Sequence, residues 1–207
     1  MSRNVLSSKQ VRELSSQVVH GVPTELDQED YQYWMEHGDE LNAAIARALR
    51  RPLLQLEHSV EAPAIGPFSA NDCIRVTPEA ERETAEVVYG YLDDNLERLI
   101  KDKPEEPAVA GATLRIHLLS RPSVDGPIIT ELGGESAVET TFGQMHQFLK
   151  LQGHPGKDVW YIFYIKVNGV LWAVYCSWYS SYAAWRVYAF PITSPREWIA
   201  GSQVVSR

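Results

Sequence analysis

Six histidines, two cysteines and a Gly133-Gly134-Glu135-Ser136 stretch are the residues of this 207-residue chain whose types invite catalysis or metal binding. None sits in a motif that carries chemistry by its spacing. There is no phosphate loop, no dinucleotide glycine fingerprint, no Cys-x-x-Cys, no HExxH and no GxSxG. The histidines, at 20, 37, 58, 117, 146 and 154, are never three or four residues apart, so no helix presents two of them on one face. The best metal assembly would gather His117, His146 and His154 with one coordination position open. The plainer reading makes His117 and His146 solvent-facing and His154 part of a glycine-proline loop. Asp93, Asp94 and Glu97 offer carboxylates for acid/base work if one is buried enough to raise its pKa, but an amphipathic helix drawn through them turns all three to solvent. The two glycines before Ser136 can form an anion-binding nest, or simply a turn that needs positive φ, and no base accompanies the serine. Cys73 and Cys176 read as reduced packing residues. The sequence therefore assigns no catalytic residue, no metal ligand and no cofactor.

Aromatic residues are the stronger signal. Between Val159 and Trp198 the chain places 5 of its 6 Trp and 6 of its 10 Tyr, more than one sheet face buries easily. Trp, Tyr and Arg dominate binding hot spots, which makes Trp160, Lys166, Trp178, Trp185 and Arg186 the candidate contact residues. A row of Trp160, Ser177 and Arg186 would suit a cation–π contact. The competing reading is internal, with Trp198 and the front-half helices covering the same face. Stacking of single-stranded nucleic acid is a third possibility, but Lys157, Lys166, Arg186 and Arg196 are too few to line a phosphate groove.

These residues are positioned by a meander. Asn168-Gly169 suits the two positive φ values of a type I′ hairpin turn and is flanked by dense β-branched and aromatic runs. A two-residue loop sets Val167 opposite Val170, Ile165 opposite Trp172, Phe163 opposite Val174 and Tyr161 opposite Cys176, all on one apolar face. A second hairpin pairs Trp178 with Trp185, Cys176 with Val187 and Val174 with Ala189. Pro191 cannot donate to a ladder and marks the third strand as the expected edge.

Upstream, helices are expected from Ser7 or Ser8 to Gly21, from Asp27 to Gly38, and from Asp39 to Arg51. Weak strands are expected near Leu54 and over Cys73 to Val76. Thr77-Pro78-Glu79 opens a long helix whose apolar spacing runs through Gly90 to Ile100. Lys103 to Gly111 has linker composition, Thr113 to Ser120 alternates as a half-buried strand, and Ile128 to Leu132 reads as a short strand. Thr141 and Gln144 have capping-box spacing ahead of a helix that stops at Gly153 and covers the meander. Ser194-Pro195 opens a short helix containing Trp198.

The fold class is α+β, a C-terminal antiparallel β-meander covered by helices and preceded by a helix-rich N-terminal half. Residues 1–103 form an acidic helix-rich region, 104–111 a linker and 112–207 an α+β region, with one integrated domain as the other arrangement. Residues 1–110 carry 11 Lys/Arg against 21 Asp/Glu, whereas 111–207 carry 8 against 6. That asymmetry keeps a protein soluble and favours a partner with a basic surface. No basic, apolar leader opens the chain and no apolar run approaches a bilayer span, so the expected location is the cytoplasm, away from membranes. The leading functional reading is a non-enzymatic protein-binding module of inhibitor or immunity type. The alternative is a small hydrolase or transferase with a site between the sheet and the strand at 113–120, using His117, His146 and the glycine turn.

Overall fold

The computed structural model describes residues 9, 12, 16, 28–48, 52–155 and 157–207. The expected helix from Ser7 or Ser8 to Gly21 lies largely outside them. The chain divides into two compact units, Met1–Arg51 and Pro52–Arg207. The first contains α1 (Gln28–Glu36) and α2 (Gly38–Ala48), as expected from the apolar spacing. Tyr33 stacks on His37 at 4.2 Å and its hydroxyl donates to Glu40 at 3.0 Å, tying the two helices at their junction. No residue of α1 is buried, and Tyr31 and Met35 are exposed.

The second unit runs, in order, β1 (Leu54–Ala62), β2 (Phe68–Ser69), α3 (Ala70–Cys73), β3 (Tyr89–Leu92), α4 (Asp94–Asp102), β4 (Glu105–Glu106) and β5 (Ala112–Leu119). It continues with α5 (Asp125–Glu131), α6 (Glu135–Val138), β6 (Glu139–Thr140), α7 (Phe142–Gln152), β7 (Val159–Val167), β8 (Val170–Tyr179), β9 (Ala184–Pro191) and β10 (Gln203–Ser206). The main sheet is mostly antiparallel, in the order β1-β5-β10-β7-β8-β9-β3, with β6 also pairing β7; β2 and β4 form a separate two-stranded ladder. No helix among the described residues is long and apolar enough to cross a membrane.

The meander of β7, β8 and β9 has the expected register, from Val167 opposite Val170 to Tyr161 opposite Cys176 and from Trp178 opposite Trp185 to Val174 opposite Ala189. Asn168 and Gly169 turn the corner at φ 50° and 79°, the left-handed values a type I′ turn requires. Side-chain alternation then sorts the strands between two cores. Phe163, Ile165, Val174, Cys176, Trp185 and Val187 enter the larger one, covered by α7 and α4. Ile162, Tyr164, Leu171 and Ala173 enter the smaller one, covered by α5, α6 and Trp198. The capping box at the start of α7 is formed in both directions. Thr141 Oγ1 accepts from the Gln144 amide at 3.1 Å, and Gln144 Oε1 accepts from the Thr141 amide at 3.1 Å.

Several local expectations fail. The long helix from Thr77 is a single 3-10 turn, Glu79–Glu81, followed by β3 and then α4. Thr77 does not cap a helix: its amide and its Oγ1 bond the Tyr89 carbonyl and amide at 2.8 and 2.9 Å. Gly90 belongs to the strand, where a Cβ would stand 2.9 Å from Cβ of Ala184. The third meander strand is not an edge, because β3 lies parallel along it. Asp93 secures that join by accepting from the Ala189 amide at 3.1 Å and capping α4 through the Leu96 amide at 2.9 Å. The expected strand near Cys73 is the short helix α3, and Cys73 is exposed.

Ile128 to Leu132 is helical rather than extended. The carboxylate of Glu131 takes the amides of Leu53 and Leu54 at 3.0 and 2.8 Å, holding the start of β1 against α5. The segment after Ser194 is not a helix. Trp198 bridges to Ser123, and residues 203–206 form a strand between β5 and β7. Within 104–111, Val109 bridges to Ile65, and the buried side chain of Glu106 accepts the Phe142 and Gly143 amides at 3.1 and 2.8 Å. Lys103 Nζ approaches the same carboxylate at 2.8 Å.

Glu106 thus satisfies two amides at the start of α7 that no helix carbonyl can reach, while Lys103 offsets its desolvation. Replacing it with alanine leaves those amides unpaired and the ammonium with only the Lys166 carbonyl, at 3.1 Å, and no counter-charge. Glu106→Ala should cost roughly 3 kcal/mol of unfolding free energy by urea titration, and an unchanged midpoint would contradict this role.

Candidate functional site

The histidine assembly does not form. Leu114 and Ile116 of β5 enter the larger core, so His117 projects from the opposite face, where its Nε2 lies 3.2 Å from Ser206 Oγ. His146 on α7 is on the larger-core side, with Nδ1 2.9 Å from the Tyr89 hydroxyl. His154 packs beside Trp178 at 5.1 Å. No group of three or more His, Cys, Asp or Glu among the described residues is arranged to hold a metal ion. Gly133 and Gly134 both have strongly positive φ, which accounts for the glycine pair as a turn, and Ser136 is exposed on α6. Asp93 caps α4 rather than facing solvent, and partial burial holds its pKa above the ordinary value.

A cavity of about 190 Å³ does place a thiol and an imidazole on one wall set, lined by Cys73, His146, Asp72, Glu81, Glu86 and Thr77 among others. Its electrostatics oppose nucleophilic chemistry. Burial, followed by the charges of Asp72, Glu86 and Glu105, pushes the Cys73 thiol up. Burial pushes His146 down to about 4. Burial also holds the Tyr89 phenol far above its usual value, so it stays protonated, with its oxygen 2.9 Å from His146 Nδ1. An activated cysteine needs the reverse, a depressed thiol beside an imidazolium.

The second candidate is on the other face of the sheet. The row of Trp160, Ser177 and Arg186 exists as neighbours in register across β7, β8 and β9. Trp178 and Trp185, by contrast, are 2% and 1% exposed and pack edge-to-face in the larger core, so they offer no surface. Lys166 lies between Glu135 at 3.2 Å and Glu139 at 3.3 Å. Of the five residues expected to make contact, Trp160, Lys166 and Arg186 lie on this face, and Lys166 is taken up by the two glutamates.

Other residues complete it. Helices α5 and α6 with Trp198 cover this face over β5, β10 and β7, whereas its β8, β9 and β3 portion carries the part-exposed rings of Tyr175, Tyr179, Tyr188 and Phe190 and the exposed Tyr91. Ring centres lie 5.3 Å apart for Tyr91 and Tyr188, 6.1 Å for Tyr175 and Tyr188, and 6.4 Å for Tyr188 and Phe190. Two guanidinium groups lie on this array. Arg186 sits 4.3 Å from the Tyr179 ring and 5.2 Å from Tyr182. Arg196 sits 4.5 Å from Phe190, 5.2 Å from Trp198 and 5.8 Å from Tyr175. The missed members were readable by parity: residues 188 and 190 share the face of 186, and register sets Tyr175 opposite Tyr188. Tyr91 and Arg196 reach the array through long-range pairing that local patterns do not encode.

The cavity chemistry is directly measurable. Because the Cys73 pKa is raised, its alkylation rate should still be climbing at pH 9, whereas an activated thiolate would plateau below neutrality. A plateau near pH 6 in the Cys176→Ala background would contradict the electrostatics described. Compared with known proteins, the chain matches no family model, no curated protein and no solved structure.

Proposed function

We propose that this chain is a non-enzymatic protein-binding module whose contact surface is the open part of the sheet formed by β8, β9 and β3. The observation that carries the reading is the contiguous, part-exposed array of Tyr91, Tyr175, Tyr179, Tyr182, Tyr188 and Phe190 with two arginines laid on it. Rigid aromatic rings give large contact area at small entropic cost, and Tyr and Arg are enriched where interfaces concentrate their energy. An inhibitor or immunity role is consistent with such a surface and with the absence of an activated group in the Cys73 cavity.

The small hydrolase or transferase reading has less support. His117 projects from one face of the sheet and His146 sits on α7 over the other, whereas catalytic groups must meet within hydrogen-bond reach or through one water. The expected partner with a basic surface remains a proposal for the acidic front half and does not describe this face. Here the exposed charges are cationic.

The contact surface is tested by quantitative affinity capture with cross-linking, comparing the native chain with Tyr91→Ala/Tyr182→Ala. Both rings are exposed, 44% and 61%, so their loss should spare the fold. A stoichiometric protein partner cross-linked to β9 should fall about tenfold or more in the variant. Equal recovery of that partner by the variant would overturn the assignment, as would cross-links confined to the first unit.

A further inference from the structure

The guanidinium groups of Arg186 and Arg196 lie 4.3 and 4.5 Å from the rings of Tyr179 and Phe190, yet among the described residues neither makes an ion pair or a hydrogen bond. Other arginines of this unit are engaged through their N–H groups, Arg75 with Glu81 at 2.6 Å, Arg82 with the Tyr182 carbonyl at 3.5 Å and Arg115 with the Arg207 carbonyl at 2.6 Å. Stacking satisfies the faces of a guanidinium and fixes its plane. Its in-plane N–H groups stay open, in the fork that matches a carboxylate bidentately. An arginine so held gives up less side-chain entropy on binding than one that must be immobilised from solvent.

The two forks are spaced along one strand. Arg186, Tyr188 and Phe190 alternate onto the same face of β9, and Arg196 lies over Phe190. Four residues of extended chain rise about 13 Å, which is the strand distance from Arg186 to Phe190, the residue whose ring Arg196 covers. Carboxylates four residues apart on an extended peptide have the same spacing.

Resting on the protein-contact reading above, we propose that this face clasps an extended acidic segment of its partner, with two Asp or Glu carboxylates at i and i+4 seated on Arg186 and Arg196 and the intervening side chain against Tyr188. Charge complementarity selects this occupant. Among the described residues neither cation of this face pairs with a carboxylate, and Asp158, at the Tyr179 end, is taken up by the amide and hydroxyl of Ser180 at 2.9 Å. Single-stranded nucleic acid also stacks on aromatic rings, but tracking its backbone takes a groove of clustered cations, and two arginines do not supply one.

The test uses the full chain and short, labelled, β-prone peptides with Glu at i and i+4, compared with peptides carrying Gln or Lys at both positions and with oligodeoxythymidylate, by anisotropy at low salt. The Glu peptide should bind. Exchanging either Glu for Gln should weaken binding about tenfold, and Arg186→Gln or Arg196→Gln should do the same. In a double-mutant cycle, losing Arg186 should remove the effect of one peptide carboxylate and not the other. The peptide exchanges keep the proposal falsifiable should an arginine variant fail to fold. Equal binding of the Glu and Gln peptides would overturn the acidic occupant while leaving the protein-contact reading intact. Failure of every peptide, with partner capture still dependent on Tyr91 and Tyr182, would likewise overturn the clasp alone. Oligodeoxythymidylate binding that displaces the Glu peptide and is lost in the arginine variants would overturn both.

Discussion

The sheet is continuous because residues 203–206 run through its middle. β10 lies antiparallel to β5 on one side and parallel to β7 on the other, so it joins the β1–β5 pair to the meander. Its two valines alternate across the sheet, Val204 into the smaller core and Val205 into the larger one, and both are fully buried. Burial of a valine side chain is worth roughly 1.5 to 3 kcal/mol, so this short strand contributes to both cores at once. Without it, β5 and β7 would face each other with unpaired backbone groups, and the two cores would lose their shared wall.

The same tail builds the outer face. Before entering the sheet it crosses the smaller core at Trp198, whose Nε1 donates to Asp125 Oδ1 at 2.8 Å. The Tyr164 hydroxyl donates to that same oxygen at 2.8 Å. Burial raises the pKa of Asp125, while these two donors partly counteract the rise. Stability should therefore decline as pH climbs through the elevated Asp125 value, because the folded state holds that proton more tightly than the unfolded chain does. Anchored this way, Trp198 stacks on Tyr175 and carries Arg196 onto Phe190. The second guanidinium of the proposed clasp is thus placed by the strand that closes the sheet.

What could be read from sequence was local. The Asn168-Gly169 turn specified the register of β7 and β8, and the Thr141/Gln144 box specified where α7 begins, because each depends on residues within a few positions of one another. Parity also showed more than was taken from it: Trp178 and Trp185 share the face of Cys176 and Val187, which already implied burial. The failures are long-range. Val87 to Leu92 is a continuous apolar run compatible with helix or buried strand, and only its parallel pairing with β9 decides between them. Val204 and Val205 are two apolar residues in a polar tail, too short a signal for a central strand. Tyr91 and Arg196, two members of the candidate contact surface, depend on those two unseen pairings.

Native-state hydrogen exchange tests the seam most directly. The account predicts that the amides of Val204 and Val205 exchange as slowly as those of Phe163 and Val174, through global unfolding alone. Exchange of Val204 and Val205 at rates typical of a fraying terminus, with the meander still protected, would contradict it.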